Sequence, residues 1–339
     1  MTKNTHLTLI ISLIMFRSFS LSCQLKSVPT PDTSVNSETY QNPVVDYSLP
    51  DPTIIRARDG MFYLYATEDI RNVPIHKSAD LINWEFVSTA FTDQTRPSFE
   101  PGGGIWAPDI NFIQNKYVLY YSMSVWGGEW TCGIGIATAD HPAGPFQDQG
   151  MLFRSNEIGV QNSIDPFFIE DKGRKYLFWG SFRGIYGIEL TENGLAIKDG
   201  AEKVQIAGTA YEGVYIYPKN GFYYLFASVG SCCEGLKSTY TTVAGRSENL
   251  FGPYLDKCGN RLLENHHEIL IQKNNAFVGT GHNSEIITDN AGNDWLFYHA
   301  VNVKNPAGRV LLLDRVCWQD NWPVVESVSP SEKALKPYF

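Results

Sequence analysis

The chain has 339 residues, enough for two domains of about 150 residues, although large β folds exceed that length as one domain. Its 36 acidic residues outnumber 27 Lys and Arg residues, and the resulting net charge of −9 excludes the basic surface that binds nucleic acid. A hydrophobic content of 43% excludes bulk disorder. Aromatic residues make up 13% of the chain beside 29 glycines and 18 prolines, a mixture that favours strands and turns. We therefore predict an all-β protein.

Residues 1–23 have the pattern of an export signal. Lys3 precedes the apolar run 7–16, which is too short to span a bilayer but typical of a signal-peptide core. The segment 20–23 resembles a bacterial lipoprotein signal, in which the cysteine is lipidated; cleavage without lipidation is the alternative. We predict an exported protein, a bacterial outer membrane lipoprotein at the cell surface or in the periplasm, that contacts the membrane only through this N-terminal lipid.

Residues 24–40 are rich in Ser, Thr and Pro and show no apolar periodicity. Such a composition is typical of a flexible linker. The sequence therefore predicts a linker at 24–40 and a single catalytic domain at 41–339.

Five cysteines follow Cys23, and an odd number cannot all pair within one chain. Their spacing matches no zinc-binding pattern. We predict no disulfide scaffold, and we interpret the adjacent Cys232 and Cys233 as small buried side chains.

One pattern occurs five times: a polar turn followed by a run of aromatic and aliphatic residues. The five segments begin at Asp59, Asn115, Gly173, Asn220 and Asn293. Each predicts a strand that is buried on both faces. Their spacing of roughly 50 to 70 residues leaves room for four strands per unit, which is typical of propeller blades. We predict a five-bladed β-propeller; a β-sandwich is the alternative.

Three acidic residues precede three of these segments by a similar distance. They are Asp51, Asp165 and Glu212, each roughly eight to ten residues upstream. An isolated Asp-Pro usually forms a turn whose carboxylate accepts a backbone N–H. Because the inner strands of a propeller surround one channel, however, acids at their starts can meet in one pocket.

Cleavage of a glycosidic bond with inversion uses such carboxyl groups. One protonated carboxyl donates its proton to the leaving oxygen. An ionised carboxylate about 6.5–9.5 Å away activates water on the opposite face of the sugar. A third carboxylate nearby raises the pKa of the acid by charge repulsion. The trio therefore predicts glycoside hydrolysis.

The segments DPTII, GIWAPDI, SIDPFF and YEGVYI resemble glycoside hydrolase family 43, whose members are inverting enzymes that act on arabinose- and xylose-containing polysaccharides. The resemblance covers about residues 40 to 320. It implies that Asp51 is the general base, Asp165 the residue that modulates the pKa of the acid, and Glu212 the general acid.

Several longer runs are most similar to the endo-α-1,5-L-arabinanases of that family, among them 180–185, 231–247 and 279–286. We predict a monomer that acts on a polysaccharide or oligosaccharide without an organic cofactor, and we predict that Trp106, Ser181 and Phe182 contact the substrate. The similarity implies that His282 lies at the central axis beside a bound metal, often calcium. A satisfied interior histidine is the other interpretation of His282.

Two departures leave the substrate open. Gly213-Val214 follows Glu212 where arabinanases usually have Ala-Pro, and Pro50 precedes Asp51 where many have a basic residue. A β-xylosidase, an α-L-arabinofuranosidase and a noncatalytic glycan-binding propeller are therefore the alternatives.

Five further residues have two interpretations each. Trp106 stacks on a sugar ring or packs at a strand end, and Trp126 and Trp130 line a glycan subsite or stiffen a hairpin. Asp109 is a hydrogen-bond acceptor in a turn or between blades rather than a catalyst. Arg315 orients the carboxylates or pairs with an acid beside it.

Overall fold

The computed structural model describes residues 38–339, which form an all-β structure. Its helical segments are the short α1 (Ser155–Ile158) and three 3₁₀ turns, Gly235–Lys237, Leu262–Glu264 and Glu326–Val328. Within this described part of the chain, no helix has the length and hydrophobicity to cross a bilayer. The predicted signal peptide lies outside the described residues, as does the predicted linker up to residue 37.

The last residues of the predicted linker belong to the folded domain. Thr39 and Tyr40 lie in strand β1 (Thr39–Gln41), which pairs antiparallel with the last strand, β23 (Lys333–Leu335). Tyr40 is buried, and its hydroxyl donates to the backbone carbonyl of Leu313. The first strand therefore starts close to the predicted boundary at residue 40, and burial of one aromatic ring anchors this segment.

Three groups of four antiparallel strands come first along the chain. The first group contains β2 (Thr53–Arg56), β3 (Phe62–Tyr65), β4 (Pro74–Ser78) and β5 (Glu85–Thr89). The second contains β6 (Gly104–Ile113), β7 (Lys116–Ser124), β8 (Gly133–Ala139) and β9 (Gln147–Arg154). The third contains β10 (Phe167–Asp171), β11 (Arg174–Trp179), β12 (Ile185–Glu189) and β13 (Val204–Ala207).

The nine strands that follow form two more antiparallel groups. The fourth contains β14 (Glu212–Lys219), β15 (Phe222–Val229), β16 (Thr241–Ser247) and β17 (Glu268–Ile271). The fifth contains β18 (Phe277–Gly281), β19 (Ile286–Thr288), β20 (Asp294–Asn302), β21 (Asn305–Gln319) and β22 (Trp322–Val325). One parallel pairing, between Thr241 and Thr280, connects the two groups.

The five repeated segments are strands, as predicted. They form β3, β7, β11, β15 and β20, and nearly all of their side chains are buried. Each pairs with the strand that opens its group, or in the fifth group with both β18 and β19. Burial on both faces explains why these runs are continuously apolar rather than alternating.

The core consists of four clusters between neighbouring groups. One packs Tyr65 of the first group with Leu119 of the second, and another packs Tyr120 of the second with Leu177 of the third. A large cluster joins the third, fourth and fifth groups, and the last packs Leu64 against Phe297, so the fifth group contacts the first. Each group therefore packs against its neighbour along the chain, and the fifth group also contacts the first.

Hydrogen bonds between the starts of the groups follow the same order. Ile110 N donates to Thr53 Oγ1 (3.1 Å), Phe168 N to Asp109 Oδ2 (2.8 Å), Gly213 N to Asp165 Oδ2 (3.1 Å), Ile286 N to the Tyr215 hydroxyl (2.9 Å) and Ile54 N to Glu285 Oε2 (2.6 Å). Each bond joins one group to a neighbour, and the last joins the fifth to the first. Asp109 thus acts as the acceptor between groups that the sequence predicts.

The interpretation of Cys232 and Cys233 as buried packing is wrong. The two residues form a disulfide bond with each other, in the loop between β15 and β16. Cys232 is half-buried and Cys233 is exposed, because the loop carries both side chains to the surface. Cys132 and Cys258 are free thiols, the first buried and the second exposed.

The bonds between groups predict a stability cost at Tyr215. Tyr215→Phe removes the acceptor of the Ile286 N–H and leaves that N–H buried without a partner, so the free energy of unfolding should fall by about 1–3 kcal/mol. Tyr186→Phe is the matched control, since its hydroxyl makes one exposed bond of 3.4 Å, and it should change stability by less than about 0.5 kcal/mol. Equal denaturant midpoints and slopes for the two variants would contradict the expectation.

Candidate active site

A pocket of about 620 Å³ opens where the strand groups begin. Its lining includes all seven of the predicted site residues: Asp51, Trp106, Asp165, Ser181, Phe182, Glu212 and His282. They come from five different strand groups and span more than 200 positions of the chain. The structure therefore brings the three predicted carboxyls into one cavity, each less than 10% exposed.

The backbone turns sharply at the same place in each group. Asp51, Ala107, Asp165, Gly213 and His282 all have φ between 41° and 61°. This left-handed conformation is uncommon outside glycine, and its occurrence at functional sites marks positions that the surrounding structure fixes. Three of these residues, Asp51, Asp165 and His282, have side chains that line the pocket.

The third acid differs from the other two by one position. Asp51 and Asp165 occupy the left-handed position themselves, whereas in the fourth group Gly213 does so and Glu212 precedes it. Glycine suits this position for a second reason, because a Cβ at Gly213 would lie 3.1 Å from Nδ1 of His282. The equal spacing of the three acids along the sequence thus conceals this offset.

Asp51 is surrounded by hydrogen-bond donors and a cation. Its Oδ1 accepts from Nη1 of Arg309 at 3.0 Å, and its Oδ2 accepts from the hydroxyl of Thr67 at 2.7 Å. Nδ1 of His282 lies 3.3 Å from Oδ1. Burial alone would raise the pKa of Asp51, but the charge of the Arg309 guanidinium keeps that pKa well below its usual range. Asp51 is therefore ionised.

The other two carboxyls have the opposite tendency. Burial raises the pKa of Asp165 well above its usual range, and the charges of Glu212 and Asp51 add to that shift. Burial also raises the pKa of Glu212 to about 7. Because the negative charge of one carboxylate raises the free energy needed to ionise the next, the pocket holds a proton among its acids near neutral pH.

Glu212 has its own hydrogen-bond donors. Ser181, whose side chain is almost completely buried, donates to Oε2 of Glu212 at 2.7 Å, and the hydroxyl of Tyr240 also bonds to Glu212. These bonds favour the ionised form and limit the rise of its pKa. The structure thus places Ser181 against the acid, and Phe182 next to it lines the pocket half-buried.

The imidazoles near Asp51 do not provide a metal site by themselves. Nδ1 of His299 accepts the backbone N–H of Asp51 at 3.1 Å, and burial lowers the pKa of His299 to about 4, so this ring is neutral. Across residues 38–339, no three His, Cys, Asp or Glu residues are arranged to hold an ion. Because calcium prefers 6–8 oxygen ligands, these side chains do not fit a protein-built calcium site. Calcium at His282 stays a prediction.

Two tryptophans form one wall of the pocket. The half-buried ring of Trp106 meets that of Trp126 edge to face at 6.4 Å, and Trp126 is 83% exposed. A Cβ at Gly104 would lie 2.3 Å from Nε1 of Trp106. Only glycine at position 104 therefore leaves room for the indole in this orientation. Trp130 is also exposed, but it is not part of the lining.

The sequence analysis missed Arg309, Thr67 and Tyr240. Arg309 is a single cation at the start of an apolar strand, and it reaches Asp51 across 258 positions of the chain. No local motif marks such a contact. Arg315, which the sequence suggested for this role, does not line the pocket.

The chain is similar to known proteins over most of its length. The model of the glycosyl hydrolases family 43 matches residues 40–323. The extracellular endo-alpha-(1->5)-L-arabinanase 1 of Bacillus subtilis is 35% identical over 289 residues, which cover 81% of this chain and 87% of the relative. The extracellular exo-alpha-(1->5)-L-arabinofuranosidase ArbA of Cellvibrio japonicus is 33% identical, over 85% of this chain and 88% of the relative.

Solved structures show the same relationship. The structure of a Cellvibrio cellulosa alpha-L-arabinanase superimposes with a TM-score of 0.76 at 32% identity, over 83% of this chain and 96% of that one. A second structure of that arabinanase, complexed with arabinohexaose, gives a TM-score of 0.75 at 31% identity, with the same coverage of both chains. The chain therefore belongs to the glycosyl hydrolases family 43.

Proposed function

We propose that this protein is an inverting glycoside hydrolase that cleaves α-1,5-linked L-arabinan within the polysaccharide chain. One observation carries the proposal: a single pocket contains an ionised carboxylate, Asp51, and a carboxyl with a pKa near 7, Glu212. Inverting hydrolysis needs that pair of protonation states. The endo-arabinanase name of one of the relatives supports the substrate and the mode of attack.

In the proposed reaction, the carboxylate of Asp51 accepts a proton from a water molecule as the water attacks the anomeric carbon. The carboxyl of Glu212 donates its proton to the glycosidic oxygen as the bond to that oxygen breaks. The products are a new hemiacetal of inverted configuration and a free hydroxyl, and Asp51 and Glu212 have exchanged protonation states. No covalent intermediate forms.

Neighbouring groups prepare each carboxyl for its role. Arg309 and Thr67 bind the two oxygens of Asp51 and keep it ionised and oriented. Ser181 and Tyr240 orient Glu212. Asp165, fixed by the Gly213 N–H at 3.1 Å, contributes negative charge beside Glu212 when it ionises, which is the modulator role.

We also propose that the five strand groups are the blades of a five-bladed propeller with the pocket at its axis. The hydrogen bonds and core clusters that join each group to the next, and the fifth to the first, support this arrangement. The relatives named extracellular support export, and the lipoprotein-type signal and monomeric state belong to the same proposal.

An exo-acting enzyme is the second candidate, since one relative is named an exo-arabinofuranosidase and one similar structure, from a bovine ruminal metagenomic library, is named an exo-arabinanase. Product analysis decides between the modes of attack. Linear arabinan should yield oligosaccharides of mixed length from the first minutes, while branched arabinan and xylan should release little monosaccharide. Release of a single short product from linear arabinan would contradict endo action. Preferential release of sugar from xylan would contradict the proposal that arabinan is the substrate.

The general acid should be indispensable. Glu212→Gln should lower kcat on linear arabinan about 10²- to 10⁴-fold, because the amide cannot donate the proton, while arabino-oligosaccharide binding measured by calorimetry persists. Glu202→Gln is the matched control, an exposed glutamate outside the pocket lining that should keep the wild-type rate. A wild-type rate in Glu212→Gln would exclude Glu212 as the acid.

Ser181 should set the alkaline limit of activity. Since Glu212 must be protonated, kcat/KM should fall as pH rises through about 7. Ser181→Ala removes a bond that favours the ionised form, so the pKa of Glu212 should rise and the alkaline limb should move to higher pH, with a lower kcat. Ser124→Ala, in the same pocket but bonded to a backbone carbonyl, is the control. An unmoved limb in Ser181→Ala would mean that Ser181 does not act on Glu212.

A further inference from the structure

The Cys232–Cys233 disulfide forms part of the wall of the catalytic pocket, together with the neighbouring Gly230, Ser231 and Glu234. Nothing in the proposed acid–base chemistry uses it. We propose that this disulfide is a contact surface for a sugar ring of the substrate, and that its reduction weakens substrate binding. The inference rests on the proposed arabinan-cleaving function.

The chemistry of the group suits a sugar face. A disulfide carries no charge and no hydrogen-bond donor, so in a pocket of carboxyls and hydroxyls it is an apolar patch of polarisable sulfur. The C2 and C3 hydroxyls of an arabinofuranose lie on opposite faces of the ring, but the ring C–H groups and the C5 methylene form an apolar patch between them. Burying that patch against sulfur removes apolar area from water and leaves the hydroxyls free to bond elsewhere.

The bond also makes the surface rigid. Two adjacent cysteines joined to each other close a small ring that includes their peptide bond, so neither side chain can change rotamer. The side chains of two separate thiols would keep their rotamer freedom until substrate binds, and the loss of that entropy on binding would lower the affinity. The disulfide therefore offers the sugar a surface that is already in place.

The loop under the disulfide is well anchored. Ser238, which is 2% exposed, donates to the carbonyl oxygen of Cys232 at 3.0 Å and accepts the N–H of Glu234 at 3.0 Å. It packs so closely on Gly279 that a Cβ there would lie 2.7 Å from the Cβ of Ser238. The fifth strand group thus supports a loop of the fourth.

The same loop leads directly to the general acid. The carbonyl oxygen of Ser231, next to Cys232, accepts the N–H of Tyr240 at 3.0 Å, and the hydroxyl of Tyr240 bonds to Glu212. The disulfide is therefore fixed relative to the acid, within the same pocket. A sugar that contacts it belongs to the chain being cleaved rather than to a separate site.

The first test separates binding from chemistry. Cys232→Ala/Cys233→Ala should raise KM for linear arabino-oligosaccharides about five- to tenfold, since a sugar-sized apolar contact is lost, and should leave kcat within about twofold. Cys258→Ala, an exposed free cysteine outside the pocket lining, should match the wild type. An unchanged KM in the double variant overturns the proposal, as does a lower kcat with an unchanged KM.

The second test uses the wild-type protein and does not depend on the folding of the variant. Dithiothreitol transfers two electrons and two protons to the disulfide, giving two thiols and the cyclic disulfide of the reagent. The wild-type KM should then rise about five- to tenfold, and the KM of a folded double variant should not respond. Alkylation and mass spectrometry verify that Cys232 and Cys233 are reduced, and a constant KM after that verification overturns the proposal.

The two proposals fail in different ways. If the oxidised wild-type protein does not hydrolyse arabinan, the proposed function is wrong. If it does hydrolyse arabinan, and reduction of the pair leaves KM unchanged, only the role of the disulfide is wrong.

Discussion

The contact between Arg309 and Asp51 determines how charge is distributed in the pocket. The three carboxyls are almost equally buried, and burial alone raises the pKa of each. Only Asp51 has a guanidinium 3.0 Å away, and only its pKa is lowered. Because Asp51 is ionised while the other two acids retain a proton between them, the pocket can supply a base and an acid at the same pH.

The fold produces this asymmetry by bringing distant segments together. Arg309 comes from β21 in the fifth group, Asp51 precedes β2 in the first, and Glu212 opens β14 in the fourth. Hydrogen bonds and apolar clusters join each group to the next, so the starts of their strands have fixed relative positions. At three of those starts, the left-handed residues Asp51, Asp165 and His282 place their side chains in the pocket lining.

Local patterns were sufficient to predict much of this arrangement. The five buried strands are visible because each has a turn and a continuous apolar run, and the acids are visible because they precede those runs at a constant distance. Arg309 and Tyr240 were not visible, since their importance comes from contacts that no sequence pattern encodes. The offset of Glu212 by one residue depends on a backbone angle at Gly213, and the Cys232–Cys233 bond depends on a loop that exposes both side chains.

The stereochemistry of the product tests the central claim most directly. If Asp51 activates water and no covalent intermediate forms, the newly released reducing end must carry the β configuration, opposite to that of the α-linked substrate. Proton NMR of linear arabinan during the first minutes of hydrolysis, before mutarotation equilibrates the anomers, should show the β anomeric signal first. Initial appearance of the α anomer would mean retention, and would contradict the assignment of Asp51 as a base acting on water.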